Sequence, residues 1–203
     1  MKKLQFGGTY HVYNRGVNRC NLFYEKANYL YFLRLFADHI APVVQVFAYC
    51  LLPNHFHFLL RLLDAEEILS RTDLHDYWKH ARDNRPHQYF SNCFNAYART
   101  INDRYGRSGS LFQRPFQRKP VPTDGYFLTL IPYIHRNPQK HRLVDDFRDW
   151  PYSSYDAILH DKPTRVARTA VLDYFGNQVQ FIEAHQTEPD EALLQQWLEE
   201  DFD

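Results

Sequence analysis

The hydrophobic pattern around two histidines is the feature that most restricts the fold of this chain. His55 and His57 stand one residue apart in an apolar run, which follows another apolar run at residues 43–52. The Pro-Asn pair at 53–54, between the two runs, is typical of a turn. This arrangement predicts a β-hairpin whose second strand begins at His55. Because side chains alternate along a strand, both imidazoles lie on one face, and the phenylalanines beside them lie on the other.

Two neighbouring imidazoles on one strand face suit a metal ion. A His-x-His pattern by itself is weak evidence, since most such pairs are half-buried strand residues that bind no ligand. The metal interpretation therefore needs further ligands elsewhere in the chain.

Residues 126–138 contain candidates for such ligands. This segment is predicted to be a helix of about three turns, with Thr123 as its N-cap and with Asn137 and Pro138 ending it. Tyr133 and Asn137 are four residues apart and share a helix face. The tyrosine hydroxyl would be a nucleophile, and the amide oxygen a neutral third ligand. The alternative is that Tyr133 packs in the core and Asn137 only caps the helix, and spacing leaves both interpretations open.

The periodicity of the remaining segments predicts the order of the secondary structure. Before the Tyr133 helix we expect a strand at 9–14, a helix at 25–39 with Leu30 in the core, strands at 43–52 and 55–61, a helix at 89–105 and a strand at 114–121. This order indicates an α+β fold, with a ferredoxin-like (split βαβ) antiparallel sheet and helices on one face. The helix that carries Tyr133 is added to this layout, and a helical extension follows it.

The predicted domain organisation has two parts. Residues 1–156 form the main domain, in which 62–88 is a connection or an insertion, and residues 157–203 form an acidic helical extension. A last helix is predicted from Thr187, and its apolar stripe would dock on the main domain. Its acidic face would then compete with DNA phosphates for the basic surface, or the stripe would only complete the fold, and the sequence leaves both interpretations open.

The charge distribution is uneven although the formal net charge is zero. Residues 1–168 hold all 24 Lys and Arg residues and 15 of the 24 acids, which gives a formal charge of +9. Residues 169–203 hold the other nine acids. A basic body with an acidic tail is typical of nucleic-acid-binding proteins, although two solvated surfaces would give the same pattern.

Two basic segments contain the candidate nucleic-acid contacts. In the loop after the first strand, arginines would hold phosphates and an asparagine would read a base edge, although such residues also close turns. Residues 99–119 hold six basic residues and one acid. The candidates are Asn14, Arg15, Arg19, Arg104, Arg107, Arg114 and Arg118.

The apolar segments and the cysteines indicate the cellular compartment in which the protein is expected. No stretch approaches 18 uninterrupted apolar residues, and no apolar segment follows the lysines at the start, so we expect neither a membrane span nor a signal peptide. The three cysteines, Cys20, Cys50 and Cys93, are widely spaced, which argues against disulfides and zinc knuckles. The sequence therefore predicts a cytoplasmic protein with reduced thiols.

Four segments of the chain are similar to motifs of the REP-associated tyrosine transposases, a branch of the single-tyrosine HUH transposases. They are YHVYNRG at 10–16, LPNHFHFL at 52–59, RYGRSGSLFQ at 104–113 and YIHRNP at 133–138. They occur in the order and at the spacing of that family. The resemblance covers residues 6–156 and, more loosely, residues 171–176.

The resemblance implies a role for each matching residue. His55 and His57 match the metal-binding histidine pair, Tyr133 the nucleophile, and Asn137 the third metal-ligand position, which is Gln in many relatives. The implied cofactor is a divalent metal, Mg²⁺ or Mn²⁺. The implied substrate is single-stranded or hairpin DNA of the REP type, cut and rejoined through a 5′-phosphotyrosine. Pro132 departs from the family pattern, because a helix-compatible and often basic residue is expected there, and it predicts a kink before Tyr133.

Two other functions are compatible with the sequence. A non-catalytic nucleic-acid-binding module with the topology of an RNA recognition motif would carry aromatic pairs on its open sheet face. A metal hydrolase with water as its nucleophile would leave Tyr133 with a structural role. The positions at issue on the sheet are histidines, which favours an enzyme. Both a monomer and a homodimer are consistent with the sequence.

Overall fold

The computed structural model describes residues 3–70 and 86–188. The strands are Thr9–Arg15 (β1), Val44–Leu52 (β2), His55–Leu62 (β3) and Gln117–Pro120 (β4). The α-helices in this part of the chain are Lys26–His39 (α1), Ala65–Ser70 (α2), Pro86–Arg104 (α3), Asp124–Lys140 (α4), Tyr155–Leu159 (α5), Arg168–Phe175 (α6) and Gln178–Ala184 (α7). Short 3-10 helices lie at Val17–Arg19, Ala41–Val43 and Phe147–Asp149.

The strands form one antiparallel sheet in the order β2-β3-β1-β4. Helix α1 connects β1 to β2, and α3 lies between β3 and β4 along the chain. This is the split βαβ layout, so the predicted ferredoxin-like fold is confirmed. The two central strands are β3, which carries the histidines, and β1.

Helices α1 and α3 pack on the sheet face that carries Phe56 and Phe58. The Phe36 ring of α1 stacks on Phe58 with centroids 4.3 Å apart. The prediction that Leu30 belongs to this core is wrong, since Leu30 is 52% exposed. The aromatic side chain before it, Tyr29, faces inward, and the next position of a helix is about 100° further round.

Helix α4 covers the opposite face of the sheet. Its residues Leu130 and Ile134 share a buried hydrophobic cluster with Ala48 of β2 and Leu59 of β3. The same cluster contains side chains from the C-terminal helices, namely Ile158, Val171 and Phe181. The predicted added helix and helical extension are thus both present, and they pack as one layer on the histidine face.

The ends of α4 agree only in part with the sequence prediction. The Thr123 hydroxyl accepts a hydrogen bond from the N–H of Tyr126, which confirms the N-cap. The helix does not end at Asn137 but continues through Pro138 to Lys140, and it also contains Pro132. Each proline lacks one backbone donor, but the remaining bonds and the packing of α4 on the sheet outweigh that loss.

Some sequence predictions fall outside the described residues. Most of the connection at 62–88 does, because residues 71–85 are not described. So does most of the helix predicted from Thr187, whose apolar stripe lies within 189–203. The domain boundary after 156 stays a prediction. Among the described helices, none is both long and apolar enough to span a membrane.

Candidate active site

The segment after β1 holds the turn that precedes the two histidines. The carbonyl of Pro53 accepts hydrogen bonds from the N–H groups of Leu22 and Phe23, at 2.7 and 2.9 Å, and the carbonyl of Asn54 accepts one from Gly16 at 2.8 Å. Gly16 has no room for a side chain, because a Cβ there would lie 2.0 Å from a neighbouring carbonyl oxygen. The start of β3 is therefore fixed by backbone contacts that do not depend on the histidines.

His55 and His57 lie at the first and third positions of β3 and are 3% and 1% exposed. Their ring centroids are 5.2 Å apart and the rings are nearly perpendicular, at 89°. In the register with β1, Arg15 lies opposite His55 and Tyr13 opposite His57. Directly paired residues share a face, so β1 places a cation and an aromatic ring beside the histidines.

Helix α4 brings Tyr133 to the same face of the sheet. The Tyr133 ring lies edge to face with His57, with centroids 6.0 Å apart, and the tyrosine is 8% exposed. Seven residues further along the helix, the Nζ of Lys140 is 5.5 Å from the Tyr133 ring centroid. The ring of His141 lies 4.9 Å from that of His55. One face of α4 therefore meets the histidine face of β3.

Asn137, the predicted third ligand, is 1% exposed and lies one turn after Tyr133. Its Nδ2 donates a hydrogen bond to the carbonyl of Tyr133 at 2.8 Å. The amide nitrogen is thus engaged by the helix, and the amide oxygen is the atom left for a metal ion. We call the whole group the histidine site; it comprises His11, His55, His57, Tyr133, Asn137, Lys140 and His141.

The Nδ1 atoms of both β3 histidines have partners. His55 Nδ1 lies 2.6 Å from the Oδ1 of Asn54, and His57 Nδ1 lies 2.9 Å from the Nε2 of His11 on β1. An amide oxygen can only accept, so His55 donates from Nδ1 and keeps its lone pair on Nε2. That tautomer is the one in which Nε2 binds a metal.

Burial keeps the histidines of the site uncharged. It lowers the pKa of His11 to about 3, with Lys119 adding to the effect, and lowers the pKa of His55 and His57 well below their ordinary value. The pKa of His141 is also lowered, again mainly by burial. The cations that add to these shifts are Arg15, Lys119 and Lys140. The site therefore combines neutral imidazoles with a positive surrounding field, which suits a phosphate.

The donor set fits a divalent metal by its chemistry. The Nε2 of His57 is buried and makes no hydrogen bond within residues 3–70 and 86–188, as expected of an atom reserved for a ligand. In the same part of the chain, no three or more His, Cys, Asp or Glu side chains are placed to hold a metal ion. The third ligand predicted from the sequence, the amide oxygen of Asn137, is of another type, and it suits a hard divalent ion.

Three of the predicted nucleic-acid contacts meet on the other side of the sheet. Asn14, Arg114 and Arg118 line a cavity of about 580 Å³, with Phe94 and Phe116 among its walls. Arg114 lies before β4 rather than on it, yet its side chain reaches the same cavity as Arg118. The Arg118 guanidinium lies 4.9 Å from the Phe116 ring centroid, so cationic and aromatic surfaces meet there.

The other predicted contacts are dispersed. Arg15 is buried on the histidine face, where burial and Arg19 lower its pKa, and Arg19 itself is exposed. Arg104 forms an ion pair with Glu25 at 2.6 Å. Arg107 donates hydrogen bonds to the Tyr24 hydroxyl and the Cys20 sulfur, at 3.1 and 3.5 Å. These last two arginines are engaged within the fold, and their role in DNA binding stays a prediction.

Several residues of the site lie outside the set that the sequence predicts. His11 lies two residues before Tyr13 on β1, so pairing the first strand with the histidine strand would have found it. Lys140 and His141 follow Tyr133 by seven and eight residues, which continues the helical spacing. They were missed because the helix was predicted to end at Pro138.

Comparisons with known proteins agree with the resemblance inferred from the motifs. No protein-family model matches the chain. A Haemophilus influenzae protein that is predicted to be a REP-associated tyrosine transposase is 27% identical over 113 residues, which are 55% of this chain and 58% of that protein. The match therefore spans little more than half the length of that relative.

A solved structure gives the same family name. It is the structure of a REP-associated tyrosine transposase bound to a REP hairpin, and it superposes with a TM-score of 0.55 over 78% of this chain and 83% of the other, at 18% identity. This likeness supports the fold described above. The relative thus confirms the resemblance inferred from the motifs, and the solved structure agrees with the fold.

Proposed function

We propose that this protein is a metal-dependent endonuclease and strand transferase that acts on single-stranded or hairpin DNA of the REP type. The observation that carries the proposal is the meeting of Tyr133 with the His55–His57 pair. A buried tyrosine on a helix lies against the neutral imidazole of His57, with ring centroids 6.0 Å apart, and His55 lies beside His57 on the same strand face. The similarity to a REP-associated tyrosine transposase supports DNA of this type as the substrate class.

The reaction assigned to the site is a transesterification. The Oη of Tyr133 attacks the scissile phosphorus, the bond from phosphorus to the 3′-oxygen breaks, and the product is a 5′-phosphotyrosine with a free 3′-hydroxyl. The proton lost by Tyr133 balances the proton gained by the 3′-oxygen. Because one phosphoester replaces another, a 3′-hydroxyl can reverse the attack and join strands, which is what transposition requires.

The residues of this chain have distinct parts in that reaction. His55, His57 and Asn137 would hold the divalent ion, Mg²⁺ or Mn²⁺, which when bound would polarise the scissile phosphate. All three are neutral, so the full charge of the ion would remain available to the phosphate. Lys140 lies against the Tyr133 ring, where its charge favours both the approach of a phosphate and the loss of the tyrosine proton.

We propose that the DNA contacts both faces of the sheet near the end of β1. Arg15 extends the positive field of the histidine site, while Arg114 and Arg118 face the cavity on the other side of β1. Phosphate contacts of this kind position a strand without reading its sequence. A hairpin with an unpaired flank would be able to contact both regions.

The proposal is tested by detecting a covalent adduct between the protein and DNA. The protein is incubated with a hairpin oligonucleotide labelled on the 3′ side of the cut and with Mn²⁺, and a labelled protein band that resists denaturation is scored. We expect the band with wild type and its loss in Tyr133→Phe, which removes only the hydroxyl. Tyr126→Phe is the matched control, because it removes a hydroxyl about two turns away on α4 and should keep the adduct.

Two results would contradict the proposal. One is an undiminished adduct in Tyr133→Phe, which would move the nucleophile elsewhere. The other is metal-dependent cleavage by wild type without any adduct, which would indicate water as the nucleophile.

A further inference from the structure

The contact between His11 and His57 joins two buried rings across neighbouring strands. The Nε2 of His11 lies 2.9 Å from the Nδ1 of His57, and the rings stack with centroids 5.1 Å apart at 17°. The two residues are 0% and 1% exposed. The Tyr13 ring stacks on both, at 4.8 Å from His11 and 5.9 Å from His57. The orientation of His57 is therefore set by groups on β1, 44 to 46 residues away.

The proton between the two rings decides what His57 can bind. A neutral imidazole has one N–H and one lone pair, so only one of the facing nitrogens carries the hydrogen. If it is on His57 Nδ1, the lone pair of His57 is on Nε2. If it is on His11 Nε2, the Nε2 of His57 carries a hydrogen and cannot coordinate a metal.

We propose that His11 is a positioning residue that holds His57 as the Nδ1–H tautomer, with the Nε2 lone pair directed at the metal. The inference rests on the proposed function, because it concerns a residue that contacts one of the proposed metal ligands. Metal-binding histidines commonly donate their other ring nitrogen to such a partner, which fixes both tautomer and orientation. Here His55 has the amide oxygen of Asn54 and His57 has the imidazole of His11.

Packing alone does not account for a histidine at position 11. Its Nδ1 is buried and makes no hydrogen bond in the part of the chain that the structure describes. An apolar residue would fill the space without that cost. The atom of His11 that has a partner is the one facing His57, so a hydrogen bond to His57 is what the imidazole adds over a leucine.

The test compares two substitutions of similar size. His11→Gln keeps an acceptor, because the Oε1 of glutamine reaches about as far as the Nε2 of histidine, whereas His11→Leu keeps bulk and removes the acceptor. Mn²⁺ binding is measured by electron paramagnetic resonance on the full chain without DNA. We expect the dissociation constant to rise about 10- to 100-fold in His11→Leu and to remain near the wild-type value in His11→Gln.

A second measurement reads the tautomer directly. In ¹⁵N-labelled wild type saturated with Mg²⁺, nuclear magnetic resonance should show His57 protonated on Nδ1. A His57 that carries its hydrogen on Nε2 would overturn the inference, and so would equal Mn²⁺ affinity in wild type and in folded His11→Leu. Wild type that binds no Mn²⁺ would overturn the proposed function as well, so failure of the inference alone is distinguishable from failure of both.

Discussion

The molecule contains two buried histidine pairs with nearly the same geometry and different surroundings. In the pair His11–His57, the facing nitrogens are 2.9 Å apart and the ring centroids 5.1 Å apart. In the pair His135–His185, the corresponding distances are 2.8 and 5.1 Å. The pairs differ in what their outer nitrogens contact, and this difference supports a structural role for one pair and the proposed metal-site role for the other.

Both outer nitrogens of the pair His135–His185 have partners. His185 Nδ1 donates to the carbonyl of Phe181 at 2.7 Å, and His135 Nε2 lies 2.8 Å from the Oγ of Ser154. Because a carbonyl only accepts, His185 Nε2 must accept from His135, and His135 Nε2 must accept from the Ser154 hydroxyl. That hydroxyl oxygen accepts from the N–H of Tyr49 at 2.8 Å. The Ser154 Oγ also lies 3.3 Å from the carbonyl of Tyr49, but the shorter contact of its hydroxyl is with His135. Each nitrogen of the pair His135–His185 therefore has a partner, and the network is closed.

The outer nitrogens of the pair His11–His57 differ from those of the closed pair, and we call His11–His57 the open pair. Neither His11 Nδ1 nor His57 Nε2 has a hydrogen-bond partner among the residues that the structure describes. Natural proteins rarely bury such atoms without a reason. Burial and ring stacking are alike in the two pairs, so the incomplete hydrogen bonding of the pair His11–His57 is what supports the proposal that this pair serves a ligand.

Helix α4 connects the two pairs. Tyr133 faces the open pair, and His135, two residues later, belongs to the closed pair. Two residues are about 200° apart around a helix, so the two side chains leave α4 in nearly opposite directions. The closed pair thus anchors the back of the helix to β2 and to the end of α7, while the front carries Tyr133, the proposed nucleophile.

The largest expected effect is on the open pair. His57→Ala should reduce Mn²⁺-dependent cleavage of a hairpin oligonucleotide at least about 100-fold, at a metal concentration that saturates wild type, because two remaining ligands hold a divalent ion poorly. Cleavage is measured per folded molecule, with the folded fraction taken from circular dichroism. Cleavage at the wild-type rate would remove His57 from the metal site.

Breaking the closed pair should instead reduce stability. His135→Ala leaves the Ser154 hydroxyl and the His185 ring without their partner, and we expect a loss of about 3–5 kcal/mol in the free energy of unfolding. Chemical denaturation measures it. His160→Ala, at an exposed histidine, is the control and should change stability by less than about 0.5 kcal/mol. A large loss of cleavage per folded molecule in His135→Ala, with little loss of stability, would contradict the division between the pairs.

The sequence predicts the candidate ligands and the candidate nucleophile better than it predicts the residues that hold them in place. The alternation of side chains around His55 and His57 predicts the hairpin and the face that the two histidines share. The N-cap at Thr123 predicts the start of α4. Both predictions depend on local rules of backbone geometry. The spacing of Tyr133 and Asn137 gave the shared helix face. The order of the elements was enough to infer the ferredoxin-like sheet.

The partners of the histidines could not be predicted in the same way. His11 lies 46 residues from His57, and His185 lies 50 residues from His135. Such contacts depend on how the elements pack, which periodicity does not report. The end of α4 was mispredicted for a related reason, since the packing of α4 on the sheet maintains the helix through Pro138 against its local preference.

A smaller effect is expected from the outer end of the closed network. Ser154→Ala removes the oxygen between the N–H of the half-buried Tyr49 and the Nε2 of the buried His135, and both would lose that partner. We expect a loss of about 2 kcal/mol in the free energy of unfolding, less than in His135→Ala, because the bond between the two histidines remains. Ser153→Ala is the neighbouring control, since its half-buried hydroxyl makes only a 3.3 Å contact. Equal stability of the two serine variants would show that the network is not closed at Ser154.

The smallest effect is the pH dependence of the closed pair. Burial lowers the pKa of His185 from 6.5 to about 4, with Arg136 adding to the shift and the hydrogen bond to Phe181 opposing it. Between these two values the unfolded chain binds a proton at this position and the folded chain does not, so stability falls as the pH falls. For one such histidine, the loss from pH 7 to pH 6 is about 0.7 kcal/mol.

This dependence can be isolated by substitution. His185→Gln removes the titrating group, and the difference in unfolding free energy between pH 7 and pH 6 should become smaller than in wild type by about 0.7 kcal/mol. Urea titrations of both proteins at the two pH values measure it, and His160→Gln, at an exposed position, controls for the loss of one histidine. An identical pH dependence in wild type and His185→Gln would mean that His185 titrates alike in the folded and unfolded chain, which a closed and buried pair does not allow.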